Sequence, residues 1–173
     1  YSKYFDNVKE IKIANICGSC CKKAIPLALL GASVTIFDIS KDNMRYACET
    51  AEAAGTRIEY IVGDVMDIDM SVYGQYFNVV FMAGGILHYF FDIDRFMNLM
   101  NNLLKSGGRM ICSDFHPTQK FMDVLGLESP ATDYFSTHII EVEMAHARFY
   151  DDDKRNEFPK CKIRRYTLSE IIN

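Results

Sequence analysis

The sequence contains no long apolar run, few prolines and no excess of positive charge. No stretch approaches the 18 or more consecutive apolar residues of a membrane span, and the first residues lack the apolar core of a signal peptide. With 4 prolines and 10 glycines in 173 residues, collagen-like and low-complexity chains are excluded. The 23 acidic residues outnumber the 19 basic ones, so phosphate backbones and anionic membranes gain no general attraction. We therefore expect a soluble, cytoplasmic protein without a nucleic-acid or membrane partner.

Length and hydrophobic content together indicate one folded domain. A chain of this size buries roughly two thirds of the surface that its unfolded form exposes, and 49% of the residues are hydrophobic. The sequence begins at Tyr1 rather than Met and stops at Asn173 inside a predicted helix. We therefore expect that residues are missing from both ends.

The cysteines favour buried thiols over a disulfide framework or a zinc site. Cys17 and Cys20 have the spacing of half a zinc site, but no second CxxC or HxxxH pair completes it. Cys20 and Cys21 are adjacent, and the expected compartment is reducing, which disfavours disulfides. The other cysteines are Cys48, Cys112 and Cys161. We predict that the protein binds no metal.

Short apolar strands alternate with helical segments along much of the chain. Strands are predicted at 11–16, 33–37, 58–62, 77–82 and 109–113, and helices at 22–30, 41–54 and 93–104. Near-continuous apolar strands separated by helices are typical of a parallel sheet that is covered on both faces and joined by right-handed crossovers. The sequence therefore predicts a doubly wound α/β fold with a mostly parallel sheet.

The alternation ends in the segment 117–160, where Pro, Gly and charged residues are scattered. This segment carries nine acidic and five basic residues, and we predict that it is an insertion or lid. The run Thr167-Leu168-Ser169-Glu170 matches the capping-box pattern S/T-x-x-E. A C-terminal helix is therefore expected to start within 161–173.

Small and acidic residues follow the predicted strands, at the edge where open parallel sheets bind ligands. The turn around Gly18 and Ser19 presents backbone N–H groups at a helix N-terminus, which favours a negatively charged or strongly polar group. Asp38 follows the second strand and can accept hydrogen bonds from the hydroxyls of a ribose. Asp64 follows the third strand and can accept from an exocyclic amine, beside the Val65 backbone. These residues describe a nucleoside-shaped site.

Each of these residues also has a purely structural interpretation. Asp38 can serve as a cap for the following helix, and Asp64 can hold a turn. Gly84 and Gly85 can permit a tight bend. The order of strand, small-residue turn, helix, strand with Asp, helix and strand with Gly-Asp favours the ligand-binding interpretation.

These motifs resemble those of class I S-adenosylmethionine-dependent methyltransferases. The resemblance lies in IKIANICGSCCKKAIPLALLGASVTIFDIS, YIVGDVMDID, FNVVFMAGGILHYF and LLKSGGRMICSDFHP, over about residues 8–116, and more loosely in RRYTLSEIIN. It implies a Rossmann-like methyltransferase fold as a single domain over 1–173, with a cofactor-binding core at 1–116. It also implies S-adenosyl-L-methionine as the cofactor.

The resemblance implies a role for each residue of the predicted site. The cofactor-binding residues would be Gly18, Ser19 and Cys20 at the methionine part, Asp38 at the ribose with Ile39 beside it, Asp64, Val65 and Met66 at the adenine, and Ala83 and Gly84 beneath the sulfonium. Tyr1 or Tyr4 would close over the cofactor carboxylate.

The sequence departs from the family pattern at three points. Asn15 stands at the usual acidic position, and Cys21 stands at the last glycine of the turn, where a side chain would crowd the cofactor or require a different backbone conformation. The two strands that normally finish the sheet after the C-terminal helix are absent.

The predicted reaction is methyl transfer to a small-molecule acceptor. The methyl carbon of a sulfonium is already activated, so the transfer is a direct displacement for which the protein aligns the acceptor and excludes water. An acceptor that carries a proton also needs a base, and His88 and His116 are the catalytic candidates because they follow the fourth and fifth strands. His88 could equally pack against the sheet. The acidic segment 117–160 suits neutral or cationic acceptors such as amines.

Two other function classes fit parts of the same pattern. A degenerate, non-catalytic nucleotide-binding or scaffold protein would keep the fold while Cys21 closes the pocket. An NAD-dependent oxidoreductase shares the strand, turn, helix and Asp pattern, but its G-x-G-x-x-G turn is absent here. The element Gly63-Asp64 also suits an adenine better.

Overall fold

Five parallel strands form a sheet with the order β3-β2-β1-β4-β5. The strands are β1 (Lys12–Ile16), β2 (Ser33–Asp38), β3 (Glu59–Val62), β4 (Phe77–Ala83) and β5 (Leu104–Ser113). Each lies where the apolar runs predict a strand. The doubly wound α/β fold with a mostly parallel sheet is therefore confirmed.

The computed structural model describes residues 2–5, 7–118, 134–144, 147, 151, 153 and 157–172. Tyr1 and much of the predicted lid at 117–160 lie outside the described residues. The chain divides into two compact units, of which the first comprises Tyr1–Gly84 and Asp94–Ser113 and the second comprises Gly85–Ile93 and Asp114–Asn173. The division into a core at 1–116 and a lid at 117–160 stays a prediction.

Four helices connect the strands of the sheet: α1 (Ala24–Leu29), α2 (Lys41–Ala53), α3 (Met70–Tyr73) and α4 (Ile93–Leu103). Ser40 caps α2, because its hydroxyl accepts the N–H of Asn43 at 3.2 Å. The short helix α3 has no counterpart in the sequence analysis, since four residues are too few to show a helical period. No helix of the described residues is both long and apolar enough to cross a membrane.

The core of the first unit lies around β1, which is the middle strand of the sheet. Ile13 is fully buried and pairs with Val34 on β2 and with Val79 on β4. From α1, Ala24 and Ile25 pack into the same cluster. Burying an aliphatic side chain of this size stabilises the fold by about 1.5–3 kcal/mol. These contacts fix the ends of β1, β2 and β4 relative to one another.

The strand β5 begins five residues before the predicted strand at 109–113. Leu104 pairs with Phe77, and Arg109 pairs with Val79, so the register advances by two residues on β4 and by five on β5. Gly107 lies in this irregular stretch with φ +73°, a conformation that residues with side chains rarely adopt. The predicted Gly107-Gly108 turn is thus a bulge within a longer strand.

In the second unit, β6 (Ile139–Glu143) and β7 (Lys160–Arg164) form an antiparallel pair. Glu141 faces Lys162 and Glu143 faces Lys160, so opposite charges meet across the pair. Within 161–173, where the sequence analysis expects only the beginning of a helix, most of β7 comes first. Charged and apolar residues alternate along β7 with the period of a strand, and this pattern could have revealed the strand in the sequence.

The helix α5 (Leu168–Ile172) begins at the predicted capping box. The hydroxyl of Thr167 accepts the N–H of Glu170 at 3.2 Å, and the carboxylate of Glu170 accepts the N–H of Thr167 at 2.8 Å. Two backbone donors at the helix start are thereby satisfied reciprocally. The capping-box prediction is confirmed.

Candidate functional site

The predicted cofactor residues all lie at the carboxyl ends of β1 to β4. Gly18, Ser19 and Cys20 follow β1, Asp38 ends β2 and precedes Ile39, Asp64, Val65 and Met66 follow β3, and Ala83 ends β4 and precedes Gly84. The chain proceeds from β1 outward to β3 and then crosses back to β4 and β5, so the strand order reverses between β1 and β4. Open α/β sheets bind ligands at this reversal point.

The turn after β1 has three residues with side chains in the left-handed conformation. Cys17, Ser19 and Cys21 have φ values of +48°, +50° and +65°, which side chains make unfavourable by about 1 kcal/mol or more for each residue. These residues alternate along the turn. The sequence analysis identified only Cys21 as a position that would need an unusual backbone.

Gly18 is required by close packing rather than by its backbone angles. A Cβ atom on Gly18 would lie 2.6 Å from Cγ2 of Ile36 and 2.8 Å from Oδ1 of Asn15. Oδ1 of Asn15 is buried and has no hydrogen-bond partner among the described residues, while Nδ2 donates to the carbonyl of Phe81 at 3.3 Å. The turn therefore lies directly against β1 and β2.

Asp38 connects this turn to the end of β2. Asp38 is 7% exposed, and its Oδ2 accepts the backbone N–H of Ser19 at 2.9 Å. Oδ1 accepts the N–H of Ser40 at 3.0 Å and lies 3.4 Å from Nδ2 of Asn43. The two oxygens together have about four acceptor positions, and the hydroxyl of Tyr60 also interacts with this carboxylate, so a ligand hydroxyl would replace the Tyr60 contact. The helix-cap interpretation of Asp38 is wrong, because Ser40 caps α2 and Asp38 only accepts the N–H of Ser40.

Tyr60, which the sequence analysis did not select, supports the same turn from β3. Its hydroxyl donates to the carbonyl of Ser19 at 3.0 Å. Burial raises the pKa of Tyr60, and the negative charge of Asp38 raises it further, so the hydroxyl stays protonated. Tyr60 pairs with Ile36 on β2, two residues before Asp38. Placing the second and third predicted strands side by side would have brought Tyr60 next to Ile36 and close to Asp38.

The thiols of Cys17 and Cys21 remain protonated at neutral pH. Burial raises the pKa of Cys17 to about 12, and the charges of Asp38 and Asp64 contribute to this rise. Burial also raises the pKa of Cys21 to about 12. Because the thiolate is the reactive form, neither thiol is an activated nucleophile. No disulfide links any of the six cysteines, all of which lie among the described residues.

The segment after β3 has the geometry of a capped turn. Oδ1 of the exposed Asp64 accepts the N–H of Met66 at 2.8 Å and thereby caps a single 3₁₀ turn, Val65–Asp67. Val65 is buried, so its side chain anchors the turn. Asp64 therefore holds this turn, as its structural interpretation predicts. Contact of this segment with an adenine stays a prediction.

Lys23, which the sequence analysis also did not select, extends from the start of α1 to the end of β4. Its ammonium donates to the carbonyl of Ala83. Gly84 has φ +100°, and a Cβ atom there would lie 2.9 Å from Nζ of Lys23. The contact joins residues 60 positions apart, so no local pattern could reveal it.

In the second unit, Asp114 holds the short turn that carries His88. Its Oδ2 accepts the N–H groups of Ile86 and Leu87 at 2.7 and 2.9 Å. The ring of His88 stacks on Phe115 with an interplanar angle of 10° and a centroid distance of 6.2 Å. Burial lowers the pKa of His88, Asp114 raises it, and Arg165 lowers it. The imidazole is therefore neutral at physiological pH.

The remaining candidates from the sequence, His116 and Tyr4, have surroundings that differ from those of His88. Nδ1 of His116 lies 2.9 Å from the hydroxyl of Thr118, and the described residues give no contact between His116 and His88. Tyr4 is exposed in the first unit, where its carbonyl accepts a hydrogen bond from Arg109 at 2.9 Å. Among the residues that the structure describes, no three His, Cys, Asp or Glu side chains are placed to hold a metal ion.

Comparison with known proteins gives one family match and many similar structures. A family model described as a methyltransferase domain matches residues 14–108. A proposed S-adenosylmethionine-dependent methyltransferase from Listeria monocytogenes is 19% identical, with a TM-score of 0.73 over 99% of this chain and 74% of the other. A similar structure is that of an S-adenosylmethionine-dependent methyltransferase from Mesorhizobium loti, which is 18% identical, with a TM-score of 0.70 over 97% of this chain and 73% of the other. Another is that of an S-adenosylmethionine-dependent methyltransferase from Clostridium acetobutylicum, which is 14% identical, with a TM-score of 0.67 over 98% of this chain and 73% of the other. No curated protein sequence matches the chain.

Proposed function

We propose that this chain, which belongs to the methyltransferase domain family, uses S-adenosylmethionine to methylate a small-molecule acceptor by direct displacement. The observation that carries this proposal is the position of Asp38. Its buried carboxylate lies at the end of β2, held by the turn that follows β1. The reversal of strand order lies on the other side of β1, between β1 and β4.

The residues at the sheet edge fit a nucleoside that carries an amino acid. The carboxylate of Asp38 can accept a ribose hydroxyl in place of the hydroxyl of Tyr60. Ile39, which follows it, is 76% exposed and offers an apolar surface against which a base can pack. The buried Oδ1 of Asn15, without a partner among the described residues, adds an acceptor near Gly18.

The side chain of Cys21 does not oppose this fit. Cys21 is 0% exposed and belongs to the same buried cluster as Ala24 and Ala47. Its thiol lies 3.6 Å from the carbonyl of Ser19. Because the side chain points into the core, it does not fill the space above the strand ends. This argues against a degenerate protein in which Cys21 closes the pocket.

When bound, S-adenosylmethionine supplies a methyl carbon that is already activated towards displacement. It would supply this carbon and keep the bonding electron pair on its sulfur, so that the protein would only have to position the acceptor. Asp38 holds the ribose through hydrogen bonds, which fixes the direction from which the acceptor must approach. No residue of the protein needs to form a covalent bond.

An acceptor that carries a proton requires a base, for which His88 is the better of the two histidine candidates. Its imidazole is neutral because burial lowers its pKa, and a neutral imidazole can accept a proton at physiological pH. Asp114 and Phe115 fix the turn and the ring. His116 is exposed and bonds to Thr118. The acidic segment 117–160 suits a neutral or cationic acceptor.

The test is a calorimetric titration of the protein with S-adenosylmethionine and with NADH. We expect saturable binding of S-adenosylmethionine alone, weakened about 10-fold by Asp38→Asn, because a hydrogen bond to a charged group is lost. Asp42→Asn is the matched control, since it removes an exposed carboxylate at the start of α2. Circular dichroism verifies that both variants fold. Binding of NADH instead, or of neither compound, would refute the proposal.

A further inference from the structure

An aromatic surface adjoins the imidazole of His88 in the second unit. The rings of Tyr89 and Phe115 have their centroids 4.1 and 6.2 Å from that of His88, and both side chains are exposed. Gly85 leaves the space for Phe115, because a Cβ atom there would lie 2.2 Å from Cε2 of that ring. His88 itself is half-buried. A polar group beside an apolar surface is typical of small-molecule sites.

An arginine that the sequence analysis did not select lies near this surface. Arg165 stands between two residues whose side chains bond to the chain directly after the histidine turn. Nη1 of Arg164 donates to the carbonyl of Phe91 at 3.0 Å. The hydroxyl of Tyr166 donates to the carbonyl of Phe90. These two bonds fix the backbone around Arg165 relative to the turn.

The guanidinium of Arg165 is a charge that is partly removed from water. The residue is half-buried and burial lowers its pKa, yet a guanidinium stays charged at neutral pH. Its charge reaches the imidazole, since it lowers the pKa of His88. The carboxylate of Asp114, which also acts on His88, accepts three backbone N–H groups at 2.6, 2.7 and 2.9 Å. A cation partly removed from water interacts with a ligand charge more strongly than a solvated one does.

We propose that Arg165 binds a carboxylate of the methyl acceptor, so that the second unit selects acceptors that combine a carboxylate with an apolar part. This inference rests on the proposed function, in which His88 is the base for the acceptor. A guanidinium has five N–H donors in a planar fork, so it can bind a carboxylate through two hydrogen bonds and keep other contacts. The apolar part packs on Phe115. An acceptor with both an amine and a carboxylate has no net charge, which agrees with the acidic segment 117–160.

The test uses three probes that share a benzene ring and differ in the attached group. Benzoate carries a carboxylate, benzamide is its neutral counterpart, and phenyl phosphate carries a phosphate. Each probe is titrated into the protein, and the NMR shift of the His88 ring proton, assigned with His88→Gln, gives the dissociation constant. The variants are Arg165→Met and Arg165→Lys. Arg57→Met is the matched control, because it removes an exposed arginine from the first unit.

We expect the wild type to bind benzoate about 10-fold more tightly than benzamide, because a charge-assisted pair is stronger than a neutral hydrogen bond. Phenyl phosphate should bind more weakly than benzoate, because the acidic segment repels its higher charge. Arg165→Met should weaken benzoate to about the affinity of benzamide. Arg165→Lys, which keeps the charge without the planar fork, should give an intermediate value and serves if Arg165→Met does not fold. Arg57→Met should leave every constant unchanged.

Three results would overturn the inference. The first is that wild-type protein binds benzoate no better than benzamide, or binds neither. The second is that Arg165→Met and Arg165→Lys bind benzoate as the wild type does. The third is that phenyl phosphate binds more tightly than benzoate, which would assign the site to a phosphate. Calorimetry with S-adenosylhomocysteine tests the proposed function separately, since a wild type that bound no S-adenosylhomocysteine would contradict that function whatever the probes show.

Discussion

The backbone N–H of Ser19 donates to Oδ2 of Asp38 at 2.9 Å, and this bond joins the turn after β1 to the end of β2. The carbonyl of the same residue accepts the hydroxyl of Tyr60 at 3.0 Å. Both backbone groups of Ser19 are therefore held by side chains from neighbouring strands. A left-handed φ of +50° is maintained here because its surroundings over-determine it.

Replacing Tyr60 by Phe removes the hydroxyl that supports Ser19. The carbonyl of Ser19 then loses its protein partner, so we expect the free energy of unfolding to fall by about 1 kcal/mol. Urea denaturation measures this change. Tyr46→Phe, which alters an exposed tyrosine on α2, should change stability by less than about 0.5 kcal/mol. Equal effects of the two substitutions would show that the Tyr60 bond contributes nothing.

Adding a methyl group at Gly18 should destabilise the protein strongly. The new Cβ atom would approach Ile36 and Asn15 within 2.6 and 2.8 Å, so the turn must shift, at about 2 kcal/mol. At Gly63, a Cβ atom would meet nothing within 4 Å, and Gly63→Ala should be close to neutral. Thermal and urea unfolding measure both variants. A neutral Gly18→Ala would mean that the turn does not press against the strands.

Relieving the left-handed strain should stabilise the fold. Ser19→Gly removes a Cβ atom at φ +50°, and we expect a gain of about 0.5–1 kcal/mol in urea unfolding. Gln75 has φ +52° in an exposed position outside the site, so Gln75→Gly should give a similar gain. A loss of stability in Ser19→Gly alone would reveal a structural role for the serine hydroxyl.

The buried thiols should make the fold unstable in alkali. The pKa of Cys17 is about 12 in the folded protein, against 9.0 for an unperturbed thiol, because of burial and the nearby carboxylates. The unfolded chain therefore releases this proton first, and the stability is fully present below pH 9 and is lost as the pH rises towards 12. Cys17→Ala should reduce the loss between these values, measured by urea denaturation across pH.

The matched control for this prediction is Cys48→Ala, which removes an exposed thiol from α2. Its alkaline loss of stability should equal that of the wild type. If Cys17→Ala kept the full loss, the thiol at position 17 would not be buried as described.

His88 should titrate below the ordinary histidine pKa of 6.5. Burial disfavours the imidazolium and lowers the pKa, and the charge of Arg165 acts in the same direction against the opposing effect of Asp114. An NMR titration of the ring proton, assigned with His88→Gln, measures this value. A pKa above 6.5 would contradict the prediction, because the histidine would then be partly charged at neutral pH.

Local sequence patterns revealed the parts of this structure that depend on local physics. The strands, the capping box at Thr167 and the position of Asp38 at a strand end all follow from periodicity and residue type within a few positions. The contacts of Lys23 with Ala83 and of Tyr60 with Ser19 join residues 60 and 41 positions apart. They depend on which elements are neighbours in the sheet, and local sequence patterns do not show this.

The bulge in β5 and the pair of β6 with β7 were missed for another reason. Leu104 belongs to the predicted helix but pairs with Phe77, so tertiary pairing overrides the helical pattern there. The strand β7 is only five residues long, and such short alternations also occur in irregular segments.

The alternating left-handed residues of the first turn change its electrostatic character. In alternations of this kind successive N–H groups converge and form a concavity that attracts an anion. Asp38 already supplies that anion through its bond to Ser19. The turn is therefore internally neutralised and gives an incoming negative group little attraction. A ligand at this turn is therefore expected to be recognised more through the shape of the backbone than through charge.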